Sequence, residues 1–144
     1  MAFTFKMREK GLADTDTYEF YNANPDSRQT GDCSTRALAK ALGVSYDAAL
    51  DLQCEEAKRS HFGLTSDETI DAILVAHGFR LFKQGSVKKG QKRKTVGDVA
   101  ATTKGAIAVI RSAHHLSAVV DGVIYDTWNP SKKTAYSWLV KEVV

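Results

Sequence analysis

The chain has 144 residues, 43% of them hydrophobic and 26% charged, with two prolines and ten glycines. This is the length and composition of one globular domain with a real core, and it excludes a wholly disordered, collagen-like or proline-rich chain. No apolar run reaches the roughly 18 to 20 residues that span a bilayer. Residues Met1–Arg8 lack the apolar segment and small-residue cleavage site of a secretory signal, so the expectation is a cytoplasmic domain with no membrane partner.

Residues 1–23 carry scattered aromatics (Phe3, Phe5, Tyr18, Phe20, Tyr21) and read as an N-terminal extension, strand or hairpin, followed by a turn-rich stretch from Asn22 to Ser27. From Asp32 the spacing of Ala37, Leu38, Ala41 and Leu42 is helical, with Gly43 as C-cap. Ser45 caps a second helix carrying Ala48, Ala49 and Leu52 and ending near Gly63. Thr65-Ser66-Asp67-Glu68 has the pattern of a capping box opening a third helix, which stops at Gly78. Phe79–Phe82 reads as a short strand and Thr95–Thr103 as a small helix. The wholly apolar run Ala106–Ile110 suits a strand covered on both faces. His115–Val120 and Val123–Thr127 flank Asp121-Gly122, a strong two-residue hairpin signal, and Tyr136–Val140 adds a last strand. Helices followed by consecutive strands predict an α+β fold, with N-terminal helices packed on a C-terminal antiparallel sheet.

The net charge of +3 is unevenly spread: Lys83, Lys88, Lys89, Lys92, Arg93 and Lys94 form a basic run without an acid. Such a run reads as a solvated loop, or as a surface for phosphates or an acidic partner. The two cysteines, Cys33 and Cys54, cannot make a disulfide framework and lack partners at metal-ligand spacing. The remaining question is whether either is a nucleophile.

The hairpin permits a geometric deduction. A two-residue turn at Asp121-Gly122 sets Val120 opposite Val123 and Ser117 opposite Asp126. Because side chains alternate along a strand, His115, Ser117 and Val119 then share a face with Ile124, Asp126 and Trp128. His115 and Asp126 become diagonal neighbours, an imidazole beside a carboxylate that fixes its tautomer and stabilises the imidazolium. His114 points the other way, towards Thr127 and Asn129, as a competing pair. Trp128 reads either as a shield for the imidazole–carboxylate pair or as a large core residue.

Cys33 follows Gly31-Asp32 at a helix N-terminus. There the positive end of the macrodipole favours a thiolate, and the first backbone amides can stabilise an oxyanion. Asp32 is a good N-cap, and its carboxylate is expected to turn into those amides. Cys54, in mid-helix among apolar residues, reads as packing.

Taken together these residues resemble the papain-like cysteine protease superfamily: a Cys heading a helix, then His opening one strand and Asp on the next. Gly31-Asp32-Cys33-Ser34-Thr35-Arg36-Ala37-Leu38-Ala39 is similar to the nucleophile segments of bacteriocin-processing peptidases and of ovarian-tumour deubiquitinases. His115–Asp126 resembles the His-strand, turn and Asp-strand unit, and the whole is similar to small papain-like proteins of tailed phages. The resemblance covers residues 24–138. It implies Cys33 as nucleophile, His115 as general base and Asp126 as its orienting residue. The superfamily often places an oxyanion Gln six residues before the nucleophile, where this chain has Ser27; Gln29, or Asn24, is the candidate that can reach the site from a turn.

The expected function is a cysteine hydrolase acting on a peptide, isopeptide or related amide bond, with a protein or peptide substrate and no cofactor or metal. For a phage-encoded chain the setting would be the host cytoplasm. The competing reading is a catalytically silent papain-like binding module engaging a host or virion partner. Nucleic-acid binding through residues 83–94 ranks behind both, because no aromatic is interleaved between Ser86 and Lys94.

Overall fold

The structure, a computed structural model, describes residues 15–143; the N-terminal hairpin and signal expectations that concern residues 1–14 lie outside these. In chain order the described elements are β1 (Tyr18–Phe20), α1 (Cys33–Leu42), α2 (Tyr46–Ser60), α3 (Asp67–Ala76), β2 (Arg80–Lys83), α4 (Val96–Thr102), β3 (Ala106–Ser112), β4 (His115–Val120), β5 (Val123–Asp126) and β6 (Ser137–Glu142). Four helices and one six-stranded sheet make an α+β fold, with strand order β1-β5-β4-β3-β6-β2.

The sheet is mixed, which corrects the antiparallel expectation. β1 joins the edge parallel to β5, pairing Tyr18 with Ile124 and Phe20 with Asp126, while every other pairing is antiparallel. Nor do the helices lie on one side only. Leu38, Ala41, Ala49, Ile70 and Leu74 of α1–α3 pack with Val109, Leu116, Ala118 and Leu139 in one core cluster. Val96, Val99 and Ala100 of α4 pack with Tyr18, Ala108, Ile110, Val119 and Ile124 in a second. Alternate residues of β3 and β4 enter the two clusters, so both central strands are covered on both faces, as the apolar run at Ala106 requires.

Helix ends follow local chemistry. Gly43 is left-handed (φ 66°) and its amide reaches back to the carbonyls of Ala39 and Lys40, closing α1. α2 ends at Ser60 rather than near Gly63, because His61 adopts the left-handed C-cap conformation (φ 63°). α3 starts one residue later than the capping-box pattern implies: Ser66, not Thr65, accepts the Thr69 amide. In α4 the full capping box forms between Thr95 and Asp98. No helix among the described residues is long and apolar enough to cross a membrane.

The β4–β5 hairpin has the deduced register, with Val120 opposite Val123, Val119 opposite Ile124 and Ala118 opposite Tyr125. Asp121 (φ 49°) and Gly122 (φ 80°) are both left-handed, as a type I′ turn demands. Asp121 tolerates this because its side chain is anchored, Oδ1 accepting the Gly105 amide at 2.7 Å. A Cβ on Gly122 would also approach Lys104 Cγ to 3.0 Å. Gly122→Ala is therefore expected to lower stability by about 1–2 kcal/mol, read as a lower urea midpoint. An unchanged midpoint would show that this turn does not constrain the hairpin.

Candidate active site

The hairpin delivers His115 and Asp126 to one end of the sheet. Asp126 is buried, 2% exposed, at the end of β5. Its Oδ2 accepts from His115 Nε2 at 2.6 Å and from the Ser117 hydroxyl; its Oδ1 accepts from the Thr127 amide at 2.7 Å and faces Arg36 Nη2 at 3.7 Å. The Asp126 backbone is pinned as well. Its carbonyl accepts from the Tyr21 amide at 2.9 Å and from the buried Tyr18 hydroxyl at 3.0 Å. The early edge strand thus fixes the carboxylate that orients the imidazole. Trp128 packs on the His115 ring, centroids 4.6 Å apart and planes tilted by 41°. It covers the imidazole–carboxylate bond and keeps competing water away.

At the same end of the sheet the N-terminus of α1 meets the first residues of β4. With Nε2 committed to Asp126, the other ring nitrogen of His115 is the one left for the Cys33 side chain, and Cys33, His115 and Leu116 line one cleft. Burial pushes the Cys33 thiol up. The hydrogen bonds from His115 and Leu116 and the charges of His115 and Arg36 outweigh this and hold it below an ordinary thiol. Burial likewise disfavours the charged imidazole, but the Asp126 and Cys33 hydrogen bonds and charges raise His115 to about 9. Both shifts favour a thiolate–imidazolium pair.

Asp32 does not do what its position implies. It is buried, yet its carboxylate makes no cap hydrogen bond to α1. It turns instead to Arg36, one helical turn on, and accepts from the Tyr46 hydroxyl at 2.9 Å and Asn24 Nδ2 at 3.1 Å. Burial would raise its pKa; Asn24, Tyr46 and Arg36 lower it below the usual carboxylate value. The first helical hydrogen bond runs from the Arg36 amide to the Asp32 carbonyl at 3.0 Å. The amides of Cys33, Ser34 and Thr35 precede it, without a side-chain cap.

Arg36 is the residue that motif reading passed over. Its buried guanidinium lies between the Asp32 and Asp126 carboxylates and so links α1 to the His–Asp pair. The signal was present as an Asp–Arg pair at i, i+4, hidden because Asp32 also looked like a cap.

Of the other sequence candidates, His114 lines the space beside Cys33, and Gln29, Asn24, Asn129 and Cys54 do not. Gln29 is exposed and lines a separate hollow with Phe20, Tyr21, Asn22 and Ser27, not the space beside Cys33. Asn24 is spent on Asp32, and its oxygen takes the Asp26 and Arg28 amides at 3.0 and 3.4 Å. His114 is exposed in the β3–β4 turn with φ 53°, and Asn129 accepts instead from the Ser131 amide at 3.1 Å. Cys54 is half-buried in the middle of α2.

A cleft of about 540 Å³ opens beside Cys33, walled by Thr65 and Asp67 at the start of α3, by Arg111 to Leu116, and by Tyr136. Arg111 is held there by Asp67 (2.9 Å), Asp71 (2.8 Å) and the Ser137 hydroxyl (2.7 Å). Among the described residues no group of three His, Cys, Asp or Glu side chains is placed to hold a metal. Comparison of the chain with protein-family models, with curated proteins and with solved structures finds no match.

Removing the shared cation tests its linking role. Arg36→Met is expected to cost about 3–5 kcal/mol in urea unfolding, because two buried carboxylates lose their partner, and to raise the Cys33 pKa. Arg36→Lys keeps the charge but not the planar fork, and should lose less on both readings. If Arg36→Met changed neither stability nor the thiol titration, Arg36 would be no link between the two halves of the site.

Proposed function

We propose that this chain is a papain-like cysteine hydrolase that cleaves an amide bond, peptide or isopeptide, through an acyl-enzyme. The observation that carries the reading is that the imidazole held by a buried carboxylate and the thiol at the head of α1 open onto one cleft, where each favours the charged form of the other. A histidine that only packs has no need of a desolvated, multiply hydrogen-bonded aspartate on one nitrogen and a sulfur on the other.

In this reading the Cys33 thiolate attacks the substrate carbonyl carbon, forming a C–S bond as the carbonyl oxygen takes the negative charge. The uncapped Cys33 amide at the start of α1 donates to that oxyanion, with the helix dipole behind it. The tetrahedral species collapses as His115, through the nitrogen that faced the sulfur, protonates the departing amine, and the C–N bond breaks. Neutral His115 then takes a proton from water, whose oxygen attacks the thioester carbon. Release of the carboxylic acid restores the thiolate and the imidazolium. Asp126 holds the ring through Nε2–H and offsets its positive charge. Arg36 keeps Asp32 from opposing the thiolate.

The pKa shifts set the expected pH behaviour. His115 and Arg36 hold the Cys33 thiol below an ordinary thiol, so its alkylation by iodoacetamide should reach a plateau at lower pH than a free cysteine does. The plateau species is the ion pair, which needs both the ionised thiol and the protonated imidazole. Amide cleavage should therefore rise with Cys33 ionisation and fall as His115 loses its proton around pH 9. His115→Ala should return the alkylation profile towards that of an ordinary thiol. The measurement is the rate of Cys33 modification against pH, followed by mass spectrometry with Cys54 as comparison site. A Cys33 that titrates as an ordinary thiol in the parent protein would overturn the nucleophile assignment.

A further inference from the structure

The basic run stands at the same end of the sheet as His115. Residues Lys83 to Lys94 hold six basic side chains and no acid, while the rest of the chain holds 14 basic and 17 acidic residues. The segment is thus a positive arm on a slightly negative body, and all six basic residues are exposed. Its two ends are tied together. Gln84 Nε2 donates to the carbonyls of Ala135 at 2.7 Å and Lys94 at 3.0 Å, and Gln84 Oε1 accepts the Lys94 amide at 3.2 Å.

The sheet register fixes where the arm is rooted. Lys83 pairs with Ser137, Ser137 with Arg111, and the neighbouring Ser112 with His115. The root is therefore three strands from His115, about 14 Å at ~4.8 Å per strand. Arg93 folds over the Tyr136 ring, 5.4 Å from its centroid, and Tyr136 walls the cleft beside Cys33. The arm borders the far side of that cleft. Within the cleft Arg111 faces two carboxylates, Asp67 and Asp71, so any attraction for an acidic segment must come from this rim.

We infer that the arm is a docking rim for an acidic stretch of the polypeptide substrate, engaged about four or five residues from the bond presented to Cys33, the distance an extended chain covers at ~3.3 Å per residue. The inference rests on the reading of Cys33 as an acyl nucleophile. Clustered lysines attract a run of carboxylates through summed, salt-screened charge rather than through a fitted pocket. A nucleic acid fits less well, because residues 86–94 offer no aromatic platform for a base and Arg93 occupies a face of Tyr136. The arm's root lies beyond the Debye length of about 8 Å at physiological salt, so it selects the substrate without tuning the thiol.

The test uses the full chain and chloroacetyl-capped peptides, in which a neutral spacer of about four residues precedes a run of Glu, Gln or Lys. The rate of Cys33 alkylation is measured for each at low and high salt. Iodoacetamide reports the thiol itself, and the triple variant Lys88→Gln, Lys89→Gln, Lys92→Gln leaves Arg93 and the cleft in place. The Glu peptide should react about tenfold or more faster than the Gln peptide at low salt, and the Lys peptide slowest. High salt and the triple variant should each erase the difference, with the iodoacetamide rate unchanged. Equal rates for the three peptides, with iodoacetamide still reporting a low-pKa thiolate, would overturn the docking rim and leave the nucleophile standing. An ordinary thiol towards iodoacetamide would overturn both. Equal peptide rates with salt-dependent, lysine-dependent binding of a single-stranded oligonucleotide would overturn the acidic polypeptide in favour of nucleic acid.

Discussion

The structure around Cys33 depends on how one buried carboxylate is satisfied. Taking the Asp126 side chain out of water costs several kcal/mol unless its oxygens are met by donors. They are met from several directions: the His115 ring, the Ser117 hydroxyl, the Thr127 amide and, at longer range, Arg36. The donors come from three different local rules. Strand alternation and the I′ turn bring Ser117 and His115, the chain's own exit from β5 brings Thr127, and a helix across the interface brings Arg36. The backbone of the same residue is held by Tyr18 and Tyr21. This gives the short parallel edge strand a role that its three residues could not justify by packing alone.

A second carboxylate, Asp32, favours a thiolate at Cys33 by pointing away. An aspartate directly before a cysteine would oppose ionisation of the thiol if its charge stood over the helix amides. Here the charge is taken up by Arg36, Tyr46 and Asn24. A single guanidinium thereby sits between the two aspartates. What remains facing the sulfur is the positive end of α1 and the His115 ring, and both favour the thiolate.

How much of this was legible depended on the range over which the information is encoded. The His115–Asp126 contact was readable from a handful of residues, since Asp-Gly fixes a two-residue turn, the turn fixes the register, and the period of two fixes the face. The end of α1 at Gly43 was equally local. The parallel pairing of Tyr18–Phe20 with Ile124–Asp126 was not, because it joins strands about a hundred residues apart and nothing in three residues specifies a distant partner. Asp32 was misread for a related reason. Its local preference is to cap, but the buried Arg36 and the hydroxyl of Tyr46 from the next helix offered stronger partners, and tertiary context decided between them. Gln29 is near enough to Cys33 in sequence to reach the site from a turn, but the turn from Asn22 to Ser27, with Ser27 left-handed at φ 55°, leads it to another hollow.

The rigidity of α1 is the last requirement, because a helix N-terminus helps a developing oxyanion only if its amides need not move to do so. α1 is buried from Ser34 to Ala39, polar residues included, and the polar groups brace it. The Thr35 hydroxyl donates to Gln53 Oε1 at 2.6 Å, and Gln53 Nε2 donates onward to the Leu64 carbonyl at 3.0 Å. Gln53 is itself fully buried in α2, and Leu64 immediately precedes Thr65 on the cleft wall. One short hydrogen-bond chain therefore ties α1 to the wall of the cleft. On the opposite side Arg36 ties the same helix to Asp126. Held from both sides, Cys33 has little freedom to leave His115, so the ordering that the proposed hydrolysis would need is already made by folding.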